Sequence, residues 1–276
     1  MRGLFLASAC VRIFAVGVIC YFLFANGLPF FAKYSAWDFI TGTEWAPLRG
    51  IYGILPMIVG SFLVTFGALL LGAPIGVLTA ILMARFASSR VVRVMKPAVA
   101  LLAGIPSVVY GFFGLKLLVP FTRNMLGGNG LSMFVASILL AIMILPTIIQ
   151  TSEAAINAVP NSYYEGSLAM GATHESSVFR AIVPAAKSGI VSGIVLGIGR
   201  AIGETTAILM VAGNQARMPT GILAGVRTLT VNVLLEMGYA ADVHRESLIA
   251  TGVVLFIIVM AINFIFSFIN RRRVVQ

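Results

Sequence analysis

The chain has 276 residues, of which 59% are hydrophobic and only 10% charged, and its mean hydropathy is +1.02. Soluble domains carry about 25% charged residues, so most of this surface cannot face water and an ordinary soluble domain is excluded. The net charge of +10 then belongs to lysines and arginines that orient membrane spans, and not to a nucleic-acid footprint.

Unbroken apolar runs near the ~20 residues that a spanning helix needs, without the alternation of a β-barrel, predict an all-α bundle of six transmembrane helices. They fall at about 4–31, 55–83, 99–120, 131–150, 189–212 and 247–270. The first run, "MRGLFLASACVRIFAVGVICYFLF", offers a small-residue site before Cys10 but stays apolar well past it, which predicts an uncleaved span. Cys10 and Cys20 stand about 15 Å apart along a helix, too far for a disulfide. Trp37 and Trp45 follow in the first outer segment, 33–50, where interfacial aromatics are common. In the third span Pro106, next to Ser107, removes a backbone hydrogen bond near the middle. As a kink it is structural; as a break lined by Ser107 it belongs to a pathway. Lys116 and Arg12 are expected to snorkel to opposite interfaces.

Charge distribution predicts the orientation. Arg2, Arg85, Arg90, Arg93, Lys96, Arg180, Lys187, Arg271, Arg272 and Arg273 fall on one side, and Lys33, Arg49, Arg123, Arg217, Arg227 and Arg245 on the other. The denser side is cytoplasmic, with both termini on it. Two connections are then long: a cytoplasmic one at 151–188 and an outer one at 213–246, the lengths of functional rather than slack loops.

The cytoplasmic connection contains "VPNSYYEGSLAMGATHESSVFRAIVPAAKSG", residues 159–189. Ser162 and Glu165 have capping-box spacing after Pro160. Gly171 is placed as a helix stop, Thr173 can cap a second short helix, and Pro184 closes the unit. Leu168, Ala169, Met170, Val178, Phe179 and Ile182 need something to face, and a docking surface for a soluble partner explains them better than a bare linker.

The fifth span contains "GIGRAIGETTAILM", residues 197–210, with Arg200 and Glu204 four positions apart. Helical rise places Arg200 about 16 Å from Gly189, near mid-membrane, where a charged residue costs roughly 2.5–3.5 kcal/mol. On a continuous helix both side chains share one face. Gly193, Gly197 and Gly199 let another helix approach closely. A self-neutralising pair is one reading. A functional role is the better one, since intramembrane ionisable groups mark pathways and the arginine fork suits an oxyanion. No Walker A pattern occurs, and His174 and His244 are the only histidines, so neither ATP binding nor an imidazole metal site is expected of this chain.

The cytoplasmic stretch resembles the EAA loop of bacterial ABC importer permeases, E-A-A, three residues, Gly, then I-x-L-P. Glu165, Gly171 and Pro184 hold that spacing, while Gly166 and Ser167 replace the alanines and Ala181 and Val183 replace Ile and Leu. "LAGIPSVVYGFFGL" (102–115), "GLSMFVASILLAIMILPTI" (130–148) and "GRAIGETTAILMVAGN" (199–214) are similar to phosphate-importer permeases, PstC more than PstA. The resemblance implies a type I ABC importer permease of MetI-like architecture in the bacterial inner membrane, as one permease domain over 1–276. It implies a PstA-like permease as heterodimer partner, two PstB-like ATPases that hold ATP–Mg, and a periplasmic phosphate-binding protein. In that frame Arg200, Glu204 and Ser107 are the expected substrate-pathway residues, and Glu165, Gly171 and Pro184 the coupling residues. Sulfate, molybdate or tungstate remain alternative cargoes, and a phosphate-sensing component without transport an alternative role.

Overall fold

A computed structural model describes the backbone of residues 2–274, and side chains of 5–266 and of Phe268. The side chains of Arg2, Arg271, Arg272 and Arg273 therefore lie outside the described residues. The chain is helical almost throughout, with two short strands among the described residues. Helices Phe5–Lys33, Leu55–Phe86, Met133–Asn157 and Asp242–Phe266 are long and apolar enough to cross a membrane, and two bent pairs raise the number to six if each pair is one span.

In chain order, α1 (Arg2–Gly27) leads through α2 (Phe30–Lys33) and α3 (Ala36–Thr41) to a hairpin of β1 (Trp45–Ala46) and β2 (Ile51–Tyr52). Helix α4 (Leu55–Ile81) opens with Pro56 in its first turn, where a missing amide costs nothing, and ends in a π-turn at Leu82–Phe86. Then come α5 (Ser89–Gly104), α6 (Ser107–Phe113), a π-turn at Gly114–Leu118, α7 (Val119–Leu126) and α8 (Met133–Asn157). The rest is α9 (Asn161–Ala169), α10 (His174–Ser177), a π-turn at Val178–Ile182, α11 (Val183–Ala185), α12 (Lys187–Gly203), α13 (Thr206–Val211), α14 (Leu229–Glu236) and α15 (Asp242–Val274).

Helix α8 is the axis of the fold. In its membrane-length window 67% of residues are buried, against 0% for the first helix. Small residues on both neighbours make this possible. A Cβ at Gly76 of α4 would stand 2.8 Å from Ile148, and one at Gly197 of α12 would stand 3.1 Å from the same side chain. Ile148, fully buried, is thus wedged between two helices that approach through glycine, as packing without a hydrophobic drive favours in lipid. Gly193 packs likewise on Thr151 and Ser152, whereas Gly199 faces no atom within 4 Å.

Several expected boundaries move. The fourth span runs on to Asn157, because its polar end turns inward: Ser152 is fully buried and Glu153 pairs with Lys96 of α5 at 2.9 Å. The connection expected at 151–188 is therefore shorter, lying between α8 and α12. The third expected span straddles a 95° corner between α5 and α6. Proline restricts its predecessor to extended backbone, and Ile105 (φ −69°, ψ 126°) and Pro106 (φ −60°, ψ 143°) obey. The fifth is interrupted too: α12 stops at Gly203, Glu204 is extended (φ −69°, ψ 129°), and α13 restarts at Thr206.

At the end of the bundle where residues 28–54 and 213–246 meet, a second core forms around Phe30, Phe39, Trp45, Tyr52 and Leu248. Trp37 is exposed, as an interfacial aromatic would be, but Trp45 is buried. Its indole Nε1 donates to Glu236 Oε2 at 2.9 Å, Arg227 Nη1 donates to Glu236 Oε1 at 2.6 Å, and His244 Nε2 lies 2.8 Å from Oε2. The Glu236 carboxylate, 8% exposed, joins the first outer segment, the second and α15. It borders an open cleft of about 490 Å³ between Trp45, Arg227, Tyr239 and His244. Removing one partner of a buried ion pair costs about 3–5 kcal/mol. Glu236→Ala should accordingly lower the thermal midpoint of the detergent-solubilised chain and speed tryptic cleavage at Arg217 and Arg227. Glu236→Gln, which keeps an acceptor, should do less. A wild-type melting and cleavage profile for Glu236→Ala would remove this node from the account.

Candidate functional site

The two charges of the fifth span do not form a pair. No ion pair joins Arg200 to Glu204 among the described residues, and the expected common helical face is lost because Glu204 lies beyond the end of α12. Each charge instead sits at a helix end created by the break. Arg200 occupies the last turn of α12, where the partial negative charge of unpaired carbonyls favours a cation. Glu204 Oε1 accepts from the Ala207 amide at 3.1 Å, in the first turn of α13, where a carboxylate is favoured for the opposite reason. The Glu204 carbonyl accepts from Thr230 Oγ1 at 3.1 Å, tying the break to α14.

This arrangement leaves Arg200 largely uncommitted. It is half-buried, and its hydrogen-bond partner among the described residues is Thr147 of α8, with Nη1 to Oγ1 at 3.4 Å. A guanidinium carries five donors, so most of the fork stays available to a ligand.

The two broken spans meet. Helix α6 packs on α13, with the position a Cβ would take on Gly111 only 3.1 Å from Ala207 Cα and 2.6 Å from Met210 Sδ. Ser107, the first residue of α6, is half-buried and makes no side-chain hydrogen bond among the described residues. Tyr110, one turn on, is buried in the cluster that holds Ala201 and Ala207. Its hydroxyl donates to Leu102 O at 2.8 Å across the corner, and the Arg200 charge acts on it. Thr147 and Tyr110 were not among the expected site residues, although both sit in quoted stretches beside a proline: Thr147 follows Pro146 and Tyr110 stands four after Pro106.

At the other end, the second connection folds as two short helices seated on α4, α8 and α12. Gly171 adopts φ +84° directly after the α9 C-cap, as a helix stop requires. Thr173 Oγ1 accepts from the Ser176 amide, capping α10. The capping box does not form. Helix α9 starts at Asn161 with Pro160 as N-cap and no side-chain cap bond, because Ser162 is already inside the helix. Glu165 is exposed on α9, and Pro184 lies in α11 just before a 68° turn into α12. The apolar residues divide. Val178 and Ile182 are fully buried against Ala80, Ile156 and Ile190, so they face their own chain. Tyr163, Leu168, Met170 and Phe179 remain exposed, Met170 at 89%. Tyr164 Oη lies 2.8 Å from His174 Nδ1, and His174 packs edge-on against Phe86 at 4.9 Å, locking both short helices to the π-turn of α4. The Glu175 carboxyl is held below its ordinary range by its own amide and then by the Thr173 hydroxyl.

Comparison with known proteins places this architecture. Residues 72–274 match the family model for the binding-protein-dependent transport system inner membrane component. The chain belongs to that family. This permease is 38% identical to "Probable ABC transporter permease protein YqgH" of Bacillus subtilis (strain 168), over 99% of its own length and 91% of the relative's. It is 31% identical to "Phosphate transport system permease protein PstC" of Mesorhizobium japonicum, over 93% and 84%. Among solved structures, the MetNI methionine ABC transporter aligns at TM-score 0.59 and 24% identity, over 82% of this permease and 95% of that chain. A bacterial alginate ABC importer aligns at 0.60 and 16%, over 96% of each. At those identities the likeness is one of fold, and the fold is that of ABC importer permeases. The permease is thus a multi-pass component of a membrane transport system.

Proposed function

We propose that this chain is the permease subunit of an ABC importer for inorganic phosphate and that the anion passes Arg200. Arg200 carries the reading: a guanidinium in the middle of a broken span, held by one long hydrogen bond to Thr147 and balanced by a helix end instead of a carboxylate. Such a group offsets the dehydration of an anion and still releases it. Similarity to PstC over nearly the whole chain supports phosphate as the anion. Ser107, at the start of α6, lines the same break, while Glu204 shapes it by capping α13.

The exposed Tyr163, Leu168, Met170 and Phe179 support docking of an ATPase subunit at the face that Glu165, Gly171 and Pro184 shape. In this reading two PstB-like ATPases bind and hydrolyse ATP–Mg, a PstA-like permease completes the pathway, and a periplasmic phosphate-binding protein delivers the anion. The decisive measurement is uptake of labelled phosphate into vesicles carrying the reconstituted complex. ATP-dependent uptake, unaffected by excess sulfate or molybdate, is expected. Uptake of those anions in place of phosphate would change the cargo, and absence of ATP-dependent transport would leave a sensing role.

The same reading puts both termini, residues 85–97 and the α9–α11 connection in the cytoplasm, with 33–50 and 213–246 outside. Ser88 and Thr220 are both exposed. After Cys10 and Cys20 are removed, a cysteine at 88 should react with an impermeant maleimide only in inside-out vesicles, and one at 220 only from the periplasmic side. Labelling of both from one side would overturn the six-span topology.

A further inference from the structure

Helix α5 ends in a chemical vacancy. A continuous helix would satisfy the Leu102 carbonyl with the amide four residues on, but that residue is Pro106, which has no N–H. The Tyr110 hydroxyl takes that place, donating to Leu102 O at 2.8 Å. Tyr110 can do this because the 95° corner swings α6 back toward the end of α5. The side chain is 7% exposed and shares a core cluster with Ala201, the neighbour of Arg200, and the Arg200 charge acts on its ring oxygen.

A carbonyl left without a donor in a water-poor site seeks another one. The richest donor nearby is the guanidinium, with most of its five N–H groups unassigned. We infer that Tyr110 is a positioning residue of the anion pathway: its hydroxyl occupies the carbonyl freed by Pro106, so that Arg200 stays available to the passing anion. The inference rests on the Arg200 pathway reading and adds a residue to it. It also explains why a break that exposes backbone dipole can lie beside an anion path, since an uncovered carbonyl oxygen would both repel the anion and bind the cation meant for it.

Two substitutions separate this role from packing. Tyr110→Phe keeps the ring and deletes one oxygen, whereas Tyr110→His changes the volume but restores an N–H donor. Each is measured in the reconstituted complex with its ATPase and binding protein, as phosphate uptake and ATP hydrolysis per assembled complex. Tyr110→Phe should lower maximal uptake about tenfold while binding-protein-stimulated ATP hydrolysis changes less than twofold, so that more ATP is used per phosphate. Tyr110→His should recover uptake to within about threefold of wild type. A fold-packing role gives the reverse order, with Phe harmless and His damaging, and would overturn the inference. So would a parallel fall of uptake and hydrolysis in Tyr110→Phe. Arg200→Gln is assayed alongside: normal uptake there would refute the pathway reading itself, whatever Tyr110→Phe does.

Discussion

Arg200→Gln should abolish phosphate uptake while the permease still inserts and assembles. The guanidinium is not needed to hold the fold: its hydrogen bond to Thr147 is long, at 3.4 Å, and it forms no ion pair among the described residues. Deleting it removes one weak contact and the favourable interaction of a cation with the end of α12, about 0.3–1 kcal/mol. For the anion the loss is larger. Removing a single preorganised donor from an oxyanion typically costs about 100- to 1000-fold in rate, and here the positive charge goes too. Arg200→Lys keeps the charge but not the fork, so partial uptake is expected. Glu204→Gln should be far milder, because an amide oxygen can still accept from Ala207. Wild-type transport by the Arg200→Gln complex, with assembly checked in parallel, would return this residue to a structural role.

Gly171→Asp should uncouple the permease from its ATPase without affecting insertion. Gly171 has φ +84°, a conformation that costs an ordinary L-residue roughly 1–2 kcal/mol. A Cβ there meets nothing within 4 Å, so crowding is not the cause of the expected defect. The carboxylate is. It would stand beside Met170 on the exposed apolar face and would need desolvation when a partner docks. Gly171→Asn isolates the two effects, since asparagine tolerates positive φ and carries no charge. Substrate-stimulated ATP hydrolysis should fall to the basal level with Asp and persist in large part with Asn. Normal stimulation in Gly171→Asp would remove the docking role from this face.

The coupling face shows how far local signals reach. The Gly171 stop and the Thr173 cap were legible because each acts over a few residues through its own backbone geometry. The Ser162–Glu165 box has the right spacing and still does not form, since Pro160 starts the helix one residue earlier than the box requires. Val178 and Phe179 are adjacent and equally apolar, yet one is buried against Ile156 while the other is exposed. Nothing in their own neighbourhood distinguishes them; the position of α8 does.

The same division holds for the candidate pathway. Hydropathy by itself determined the solvent, the helical class and the approximate number of spans, because lipid demands internally satisfied backbone over about 20 residues. Pro106 likewise marked a break, since a missing N–H is a property of one residue. Only the tertiary structure decided what the two intramembrane charges do. Arg200 and Glu204 are close in sequence and part company because α12 ends between them, while Arg200 finds Thr147, 53 residues away, and Glu204 is joined through its carbonyl to Thr230. Caps and breaks are encoded within a turn or two of chain. The partners of a polar group are chosen by which helices pack together, and glycines that admit Ile148 from two sides set that packing from far along the sequence.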